Sequence, residues 1–480
     1  MEFSRNGEKG KHYPTFVLLI LASIAIMVMY VEAMAFPSLP NVMADFGLPP
    51  SELPLASWVV TIYLVVGCVA IPIFGKLGDI YGKKRMLVIA MIIYSIMVTS
   101  TGFARDISDS IYVMILLRAF QGIAMCMFPL AFSIIRDEFP RERMAVAQGI
   151  ISAMFGVGTA VGFVFGGEVT DRLGWQWTYH TVAPFAFVAT AIVYWKIRES
   201  PVRMDSKVDY VGAALLGISL ISFLVGVTEA RNRGWDDPLI LGLLFAATVF
   251  ALAFSYWLGR SKQPLIRPAL MKERNIALTS LIAFIIGFGI FTTYQTIASL
   301  ASFNFGLNAT QIGLLLLPTS AVTLVLGPVV GLLVRKYGPK WPTISGMTIG
   351  IIGFAMLYLM HGTQGQVALS VTVMGAGQSF AMVGSINMII ISTPVAETAI
   401  STSMNTILRT AGSVAGPAVA AVIIAQNSHG PIPEDTAYKV IFIMCMIVVA
   451  VGIVVGLFLT NRKAHGEGAP VEPDPRQAGN

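Results

Sequence analysis

Gly75-Lys-Leu-Gly-Asp79-Ile-Tyr-Gly82-Lys-Lys84-Arg85 closes one apolar stretch, and a degraded copy closes another: Gly331-Leu-Leu-Val-Arg-Lys-Tyr-Gly338-Pro-Lys340, 256 residues later. Three more pairs keep nearly that offset. Gly158, Gly162, Gly166 and Gly167 return 254 residues on as Gly412, Gly416, Ala420 and Ala421. Gly122 returns as Gly377 at 255, and Pro140 as Pro394 at 254. Any one match is weak in a chain with 45 glycines, but four at one offset mark an internal duplication.

The material between the repeats belongs in a membrane. Of 480 residues, 55% are hydrophobic and only 12% charged, against about a quarter charged in soluble domains. With a mean hydropathy of +0.74, no water-soluble core hides this much apolar surface, so soluble enzymes and free nucleic-acid binders are excluded. A span needs about 20 apolar residues. Fourteen stretches qualify: 14–36, 55–75, 86–104, 110–134, 144–167, 176–197, 209–229, 238–258, 276–302, 311–334, 342–361, 366–391, 398–425 and 437–460. The first follows Arg5, Lys9 and Lys11 but is too long for a signal-peptide core and contains Glu32, so it reads as a retained helix.

The loops set the orientation. With both termini on one side, the loops on that side hold 25 of the 32 basic residues, the opposite loops hold five, and Arg118 and Arg409 fall inside spans. Basic loops stay in the cytoplasm, so both termini are expected there, in a plasma membrane. Cys68, Cys126 and Cys445 are scattered, and the five histidines form no ligand spacing. Neither a disulfide framework nor a metal site is expected, and no cofactor is implied.

The motifs carry a resemblance. Gly75–Arg85 resembles the loop signature after the second helix of the major facilitator superfamily, and Arg118-Ala-Phe-Gln121-Gly122 resembles its fourth-helix motif. The run from Gly158 to Gly167 resembles the fifth-helix signature of its exporters. Glu32-Ala-Met-Ala-Phe-Pro-Ser-Leu-Pro40, Trp175-Gln-Trp177, Val208-Asp209-Tyr-Val-Gly212, Gly234-Trp235 and Pro264-Leu-Ile266 resemble the fourteen-span drug:proton antiporters. Two positions depart from the pattern: Ile80 stands where the family carries Arg or Lys, and Phe163 where the exporter signature carries Pro.

The fold class is therefore an all-α membrane protein with 14 transmembrane helices: two six-helix bundles related by duplication, plus an inserted helix pair. The division is 1–13, a cytoplasmic segment; 14–198, the first bundle; 199–262, the inserted pair and linkers; 263–462, the second bundle; and 463–480, a disordered tail. Two such bundles enclose a midplane cavity that rocks open to either side.

Polar residues inside spans are expensive and mark function. Glu32 must face a cavity, pair, or take up a proton; it is either the proton-coupling acid or a structural hydrogen-bonder. Arg118 cannot lose its charge and either tunes that acid or locks two helices. Its counterpart, Val373, is apolar, so the first half is expected to hold the coupling site. Glu168 is a second protonation site or an exposed rim carboxylate. Phe36, Gln121, Met125, Tyr294, Gln295, Asn387 and Asn405 are cavity candidates, and Arg409 is either a cavity residue or a structural anchor.

In the loop motif, Gly75 and Gly82 permit close approach and a tight turn. Asp79 is read as a latch between the halves on the inside, a contact that in the family favours the outward-open state. Lys83, Lys84 and Arg85 also meet anionic lipid headgroups. Gly158, Gly162, Gly166 and Gly167 read as helix-packing residues of the exporter signature. No GxxxxGK[ST] loop is present, so protons rather than a nucleotide are the expected energy source. The expected function is proton-coupled export of amphiphilic, cationic or neutral, organic compounds; a lipid or dedicated-metabolite transporter of the same fold is the alternative, ahead of a non-transporting receptor. The partners expected are the small-molecule substrate, protons and membrane lipid, with no nucleic acid.

Overall fold

The structure is a computed structural model that describes residues 13–139, 141–200, 208–261, 264–265, 268–393, 398–428 and 432–461. The repeat prolines Pro140 and Pro394, most of the segment 1–13, and the tail 463–480 lie outside these. Among the described residues the chain is helical throughout. Each expected span has its helix: α1 (Tyr13–Asp45), α2 (Trp58–Tyr81), α3 (Lys83–Gly102), α4 (Ile111–Glu138, with a 3-10 stretch at Gly122–Cys126), α5 (Arg141–Leu173), α6 (Trp175–Lys196), α7 (Tyr210–Arg233), α8 (Pro238–Leu258), α9 (Arg274–Ser299), α10 (Ala309–Tyr337), α11 (Lys340–Leu359), α12 (Gln364–Ser392), α13 (Thr398–Gln426) and α14 (Asp435–Leu457).

Thirteen of these are long and apolar enough to cross a bilayer. The remaining one, α6, has 22 residues, but Gln176, Thr178, His180 and Thr181 in its first two turns dilute its hydropathy. Trp175, Trp177, Tyr194 and Trp195 sit near its two ends, the placement of an interfacial aromatic belt. Helix α1 runs nine residues beyond the expected span, to Asp45. The indole Nε1 of Trp175 donates to Asp45 at 2.8 Å, and the Gln176 amide donates to the same carboxylate at 3.0 Å. The Trp175-Gln-Trp177 motif thus pins the end of α1 to the start of α6.

Two helix pairs pack by the same device. Helix α5 lies against α1 with its glycines facing backbone: a Cβ on Gly162 would come within 2.7 Å of the Tyr30 carbonyl oxygen. Helix α13 lies against α9 in the same way, where a Cβ on Gly412 would collide with the Phe284 carbonyl and one on Gly416 would sit 2.5 Å from the Phe288 carbonyl. Without side chains at these points the backbones approach closely, which maximises dispersion contact between helices that gain nothing from hydrophobicity in lipid. The repeated turns also match: Gly82 ends α2 at φ 116° and Gly338 ends α10 at φ 83°, conformations that disfavour a side chain.

Helices α7 and α8 are placed asymmetrically. Leu216 and Leu220 of α7 cover the crossing of α2 and α13, where the Cys68 thiol donates to the Ile407 carbonyl at 3.3 Å. Trp58 Nε1 on α2 donates to Thr228 Oγ1 on α7 at 2.9 Å. Asp209 caps α7 through the Gly212 amide at 2.9 Å and also accepts from Trp257 Nε1 on α8 at 2.8 Å. Helix α8 is outermost, with Leu241, Phe245, Leu252 and Tyr256 exposed, as a lipid-facing helix requires.

Candidate functional site

Glu32 lies on α1 at the junction of the bundles. Its side chain is buried, and Oε2 has no hydrogen-bond partner. Pro37 and Pro40 follow within the same helix, which removes the amide donors to the Ala33 and Phe36 carbonyls and loosens α1 just past the acid. Arg118 of α4 is completely buried. Its Nε donates to the Val59 carbonyl at 2.7 Å, Nη1 donates to Gln121 Oε1 at 2.8 Å, and the guanidinium lies 4.7 Å from the Tyr63 ring centre. Gln121 continues the chain by donating to Thr101 Oγ1 at 2.6 Å and to the Met97 carbonyl at 3.1 Å. Arg118 is held on three sides, with Nη2 left unpartnered.

The second bundle meets this site through aromatic rings and a second arginine. Phe36 sits edge-on to Tyr294 at 5.4 Å and to Phe291 at 5.8 Å between ring centres. Phe163, on α5, sits edge-on to the other side of Tyr294 at 5.1 Å. Arg409 on α13 is half-buried, and both its charge and that of Arg118 act on Glu32. Among the described residues no carboxylate pairs with Arg409. Asn405, one turn earlier on the same face of α13, is buried with its Nδ2 unpartnered, and buried Gln295 has neither amide atom paired.

Of the expected residues, Phe36 and Tyr294 pack together across the bundles, Arg118 and Gln121 are joined within the first bundle, Asn405 and Arg409 share a face of α13, and both arginines act on Glu32. Met125 is instead wedged between α2 and α4 against Gly67, and Asn387 donates back to the Val383 carbonyl of its own helix at 2.8 Å. Sequence reading passed over Tyr63, Phe291 and Phe163 as site residues. The last had a signal, since an aromatic ring replaced the expected Pro and turned out to bridge the bundles. A mostly apolar cavity of about 60 Å³ lies beside Tyr294, edged by Thr319 and Gln378. Every residue lining it belongs to helices α9–α14, and at this size it is well below the several hundred Å³ of a drug-sized ligand site.

Besides the mid-span Cys68–Ile407 contact, polar contacts join the bundles toward the face opposite the basic loops. Asp171 of α5 accepts from the first amides of α10, Ala309 at 3.0 Å and Thr310 at 2.7 Å. Glu168 is a rim carboxylate, ion-paired with Arg172 and accepting from Thr310 Oγ1 at 3.2 Å. Gly167 abuts Ala309 and Gly313 abuts the Phe163 carbonyl, leaving no room for side chains. On the basic side, Gly75, Gly327 and Gly331 look into open space. Asp79 has neither an ion pair nor a hydrogen bond among the described residues.

The rest of that motif is tied within the first bundle. Lys83 is buried against Asp137, which also accepts from Ser200 Oγ at 2.6 Å. Glu199 accepts from the Lys84 and Arg85 amides, each at 3.0 Å, where a carboxylate complements a helix N-terminus. Neither Asp137 nor Glu199 was singled out in the sequence, because an acid near basic residues looks like any solvated loop pair.

Comparison with known proteins gives one family. The model of the Major Facilitator Superfamily matches residues 21–263 and 279–479. Multidrug resistance protein 3 of Bacillus subtilis is 26% identical over 407 residues, covering 84% of this chain and 78% of that protein. The tetracenomycin C resistance and export protein of Streptomyces glaucescens is 24% identical over 439 residues, covering 90% and 79%. Among solved structures, an auto-inhibited POT-family peptide transporter superposes with a TM-score of 0.67 at 15% identity, covering 93% of this chain and 98% of that one. The nucleoside transporter NupG superposes with a TM-score of 0.61 at 12% identity, covering 92% and 100%.

Proposed function

Because this chain belongs to the major facilitator superfamily, we propose that it is a proton-coupled exporter of amphiphilic organic compounds, working by alternating access. The fourteen helices act as fourteen spans: two six-helix halves that descend from one duplicated unit, with α7 and α8 inserted between them. Both termini face the cytoplasm of a plasma-membrane protein. The matching glycine packing of α5 on α1 and of α13 on α9 supports the duplication, as does the common offset of the motifs. The multidrug-resistance relatives support the class of cargo.

One observation carries the proton reading: a buried carboxylate on α1 with an unpartnered oxygen, within the electrostatic reach of Arg118 and Arg409. Such a group has two workable states. Ionised, it is held by the flanking positive charge; protonated, it releases that charge and sits at low cost in an apolar wall. In the cycle, Glu32 takes a proton from the outer medium when the chamber faces out, and cargo leaves. It returns the proton to the cytoplasm when the chamber faces in, and cargo is taken up. Arg118 sets the field at Glu32 without leaving its own helix. The closure by Asp171 at the far face and the unengaged Asp79 at the basic face fit an inward-facing arrangement, with Asp79 engaging in the opposite one.

The test uses proteoliposomes with an imposed pH gradient. Glu32→Gln is expected to reduce gradient-driven efflux of a fluorescent amphiphile to background while the protein stays monodisperse with an unchanged melting temperature. Undiminished pumping by that variant removes Glu32 from the mechanism.

A further inference from the structure

The junction of the bundles is charged unequally. Among the described residues, two guanidinium groups, Arg118 and Arg409, act on one buried acid, Glu32. Arg118 is committed: a backbone carbonyl, Gln121 and the Tyr63 ring hold it. Arg409 is not. It is half-buried within the span Ser401–Gln426 and lies within electrostatic reach of Glu32, without a paired carboxylate. A fixed charge at this depth costs several kcal/mol unless it is answered. A single acid cannot answer two arginines. Beside Arg409, the unpartnered Nδ2 of buried Asn405 is a further donor awaiting an acceptor.

We infer that the cargo is zwitterionic: an apolar body bearing an acidic group that pairs with Arg409 and Asn405 of α13, and a basic group that meets Glu32 of α1. This rests on the exporter reading and specifies its substrate. A purely cationic cargo would meet an excess of positive charge. A purely anionic one would bind best alongside the proton on Glu32, because protonation removes the one competing negative charge, and that couples cargo and proton in the same direction. Only a molecule with both groups anchors on Arg409 and still competes with the proton at Glu32, as exchange requires. Its two charged groups, near each other at one end of the body, then bridge the bundles, since Glu32 and Arg409 lie on opposite halves, while the Phe36, Phe163 and Tyr294 rings offer the apolar body a wall. No bond forms or breaks; the proton leaves Glu32 when the basic group arrives.

The experiment measures binding of three fluorescent probes to the full-length protein in detergent: Nε-dansyl-lysine, its methyl ester and its Nα-acetyl derivative. These share the dansyl-butyl body; the methyl group of the ester masks the carboxylate and the acetyl group masks the amine, so each derivative lacks one of the two charges. The zwitterion is expected to bind at least about tenfold more tightly than either derivative, since losing one partner of a desolvated charge pair costs that much or more. Arg409→Gln is expected to erase the advantage over the ester, and Arg409→Lys to keep most of it. An ester that binds as tightly as its parent overturns the inference from the wild-type protein alone, without relying on any variant. Equal weakening of all three probes by Arg409→Gln also overturns it, since a packing defect does not read charge. The two readings fail separately: undiminished pH-driven efflux by Glu32→Gln defeats proton exchange, whereas the probe series is read at equilibrium with no gradient.

Discussion

The two halves of this molecule are assembled alike and equipped differently. In the first, α5 lays Gly158, Gly162 and Gly166 against the backbone of α1; in the second, α13 lays Gly412 and Gly416 against α9. Yet α1 and α4 bring Glu32 and an Arg118 held by Val59, Gln121 and the Tyr63 ring, while α13 brings Arg409, which pairs with no acid among the described residues. The packing is a requirement of the fold that both halves must meet, because close backbone approach is what holds helices together in lipid. The charges are not such a requirement, and the two halves carry different ones. The difference separates what builds the bundles from what works between them.

The largest expected effect tests the shared part. Gly412→Leu forces a side chain into the Phe284 carbonyl and is expected to cost about 3 kcal/mol, with Gly162→Leu costing a similar amount. Both are read as a fall in melting temperature and loss of a monodisperse peak. Tolerance in one half and not the other breaks the equivalence.

The next effect sharpens the contrast between the arginines. Arg118→Lys loses the planar fork that reaches Val59 and Gln121 together and is expected to destabilise the protein by about 2 kcal/mol. Arg409→Lys, with no such bonds to lose, is expected to leave the melting temperature unchanged. Equal losses at both positions make Arg409 a structural anchor.

A smaller effect concerns the joint between the halves. Asp171→Ala removes the acceptor of the first two α10 amides but leaves the Asn308–Gln311 capping box; it is expected to cost about 1 kcal/mol, visible as faster hydrogen exchange at the Ala309 and Thr310 amides. Unchanged exchange there means the glycine contacts alone close the far face. The smallest is Trp58→Phe, which removes the bond to Thr228 and is expected to lower stability by roughly 0.5–1 kcal/mol. A larger loss makes the inserted helix an essential part of the seam.

Much of this was legible in the chain because it depends on local composition. The spans follow from apolar length, and the expected orientation from where lysines and arginines fall. The glycine rows follow from helical spacing, and Glu32, Arg118 and Arg409 stand out because charge inside a span is rare. The motif Trp175-Gln-Trp177 was visible too, but its partner Asp45 was not, since 130 residues separate Trp175 from Asp45. Helix α6 shows the limit of composition: polar residues in its first turns keep it below the hydropathy of its neighbours, although it packs as one of them.

What the sequence determined by itself was therefore which segments are helices in lipid and which side chains are too costly to lie there without a purpose. Only the tertiary structure decided which of those side chains meet. It put Phe163 against Tyr294, seated Asp171 on α10, left Asp79 without a partner among the described residues and turned Met125 into the first bundle. The physical reason is that insertion is priced residue by residue against the bilayer, whereas pairing depends on how two bundles dock, and no local pattern encodes that.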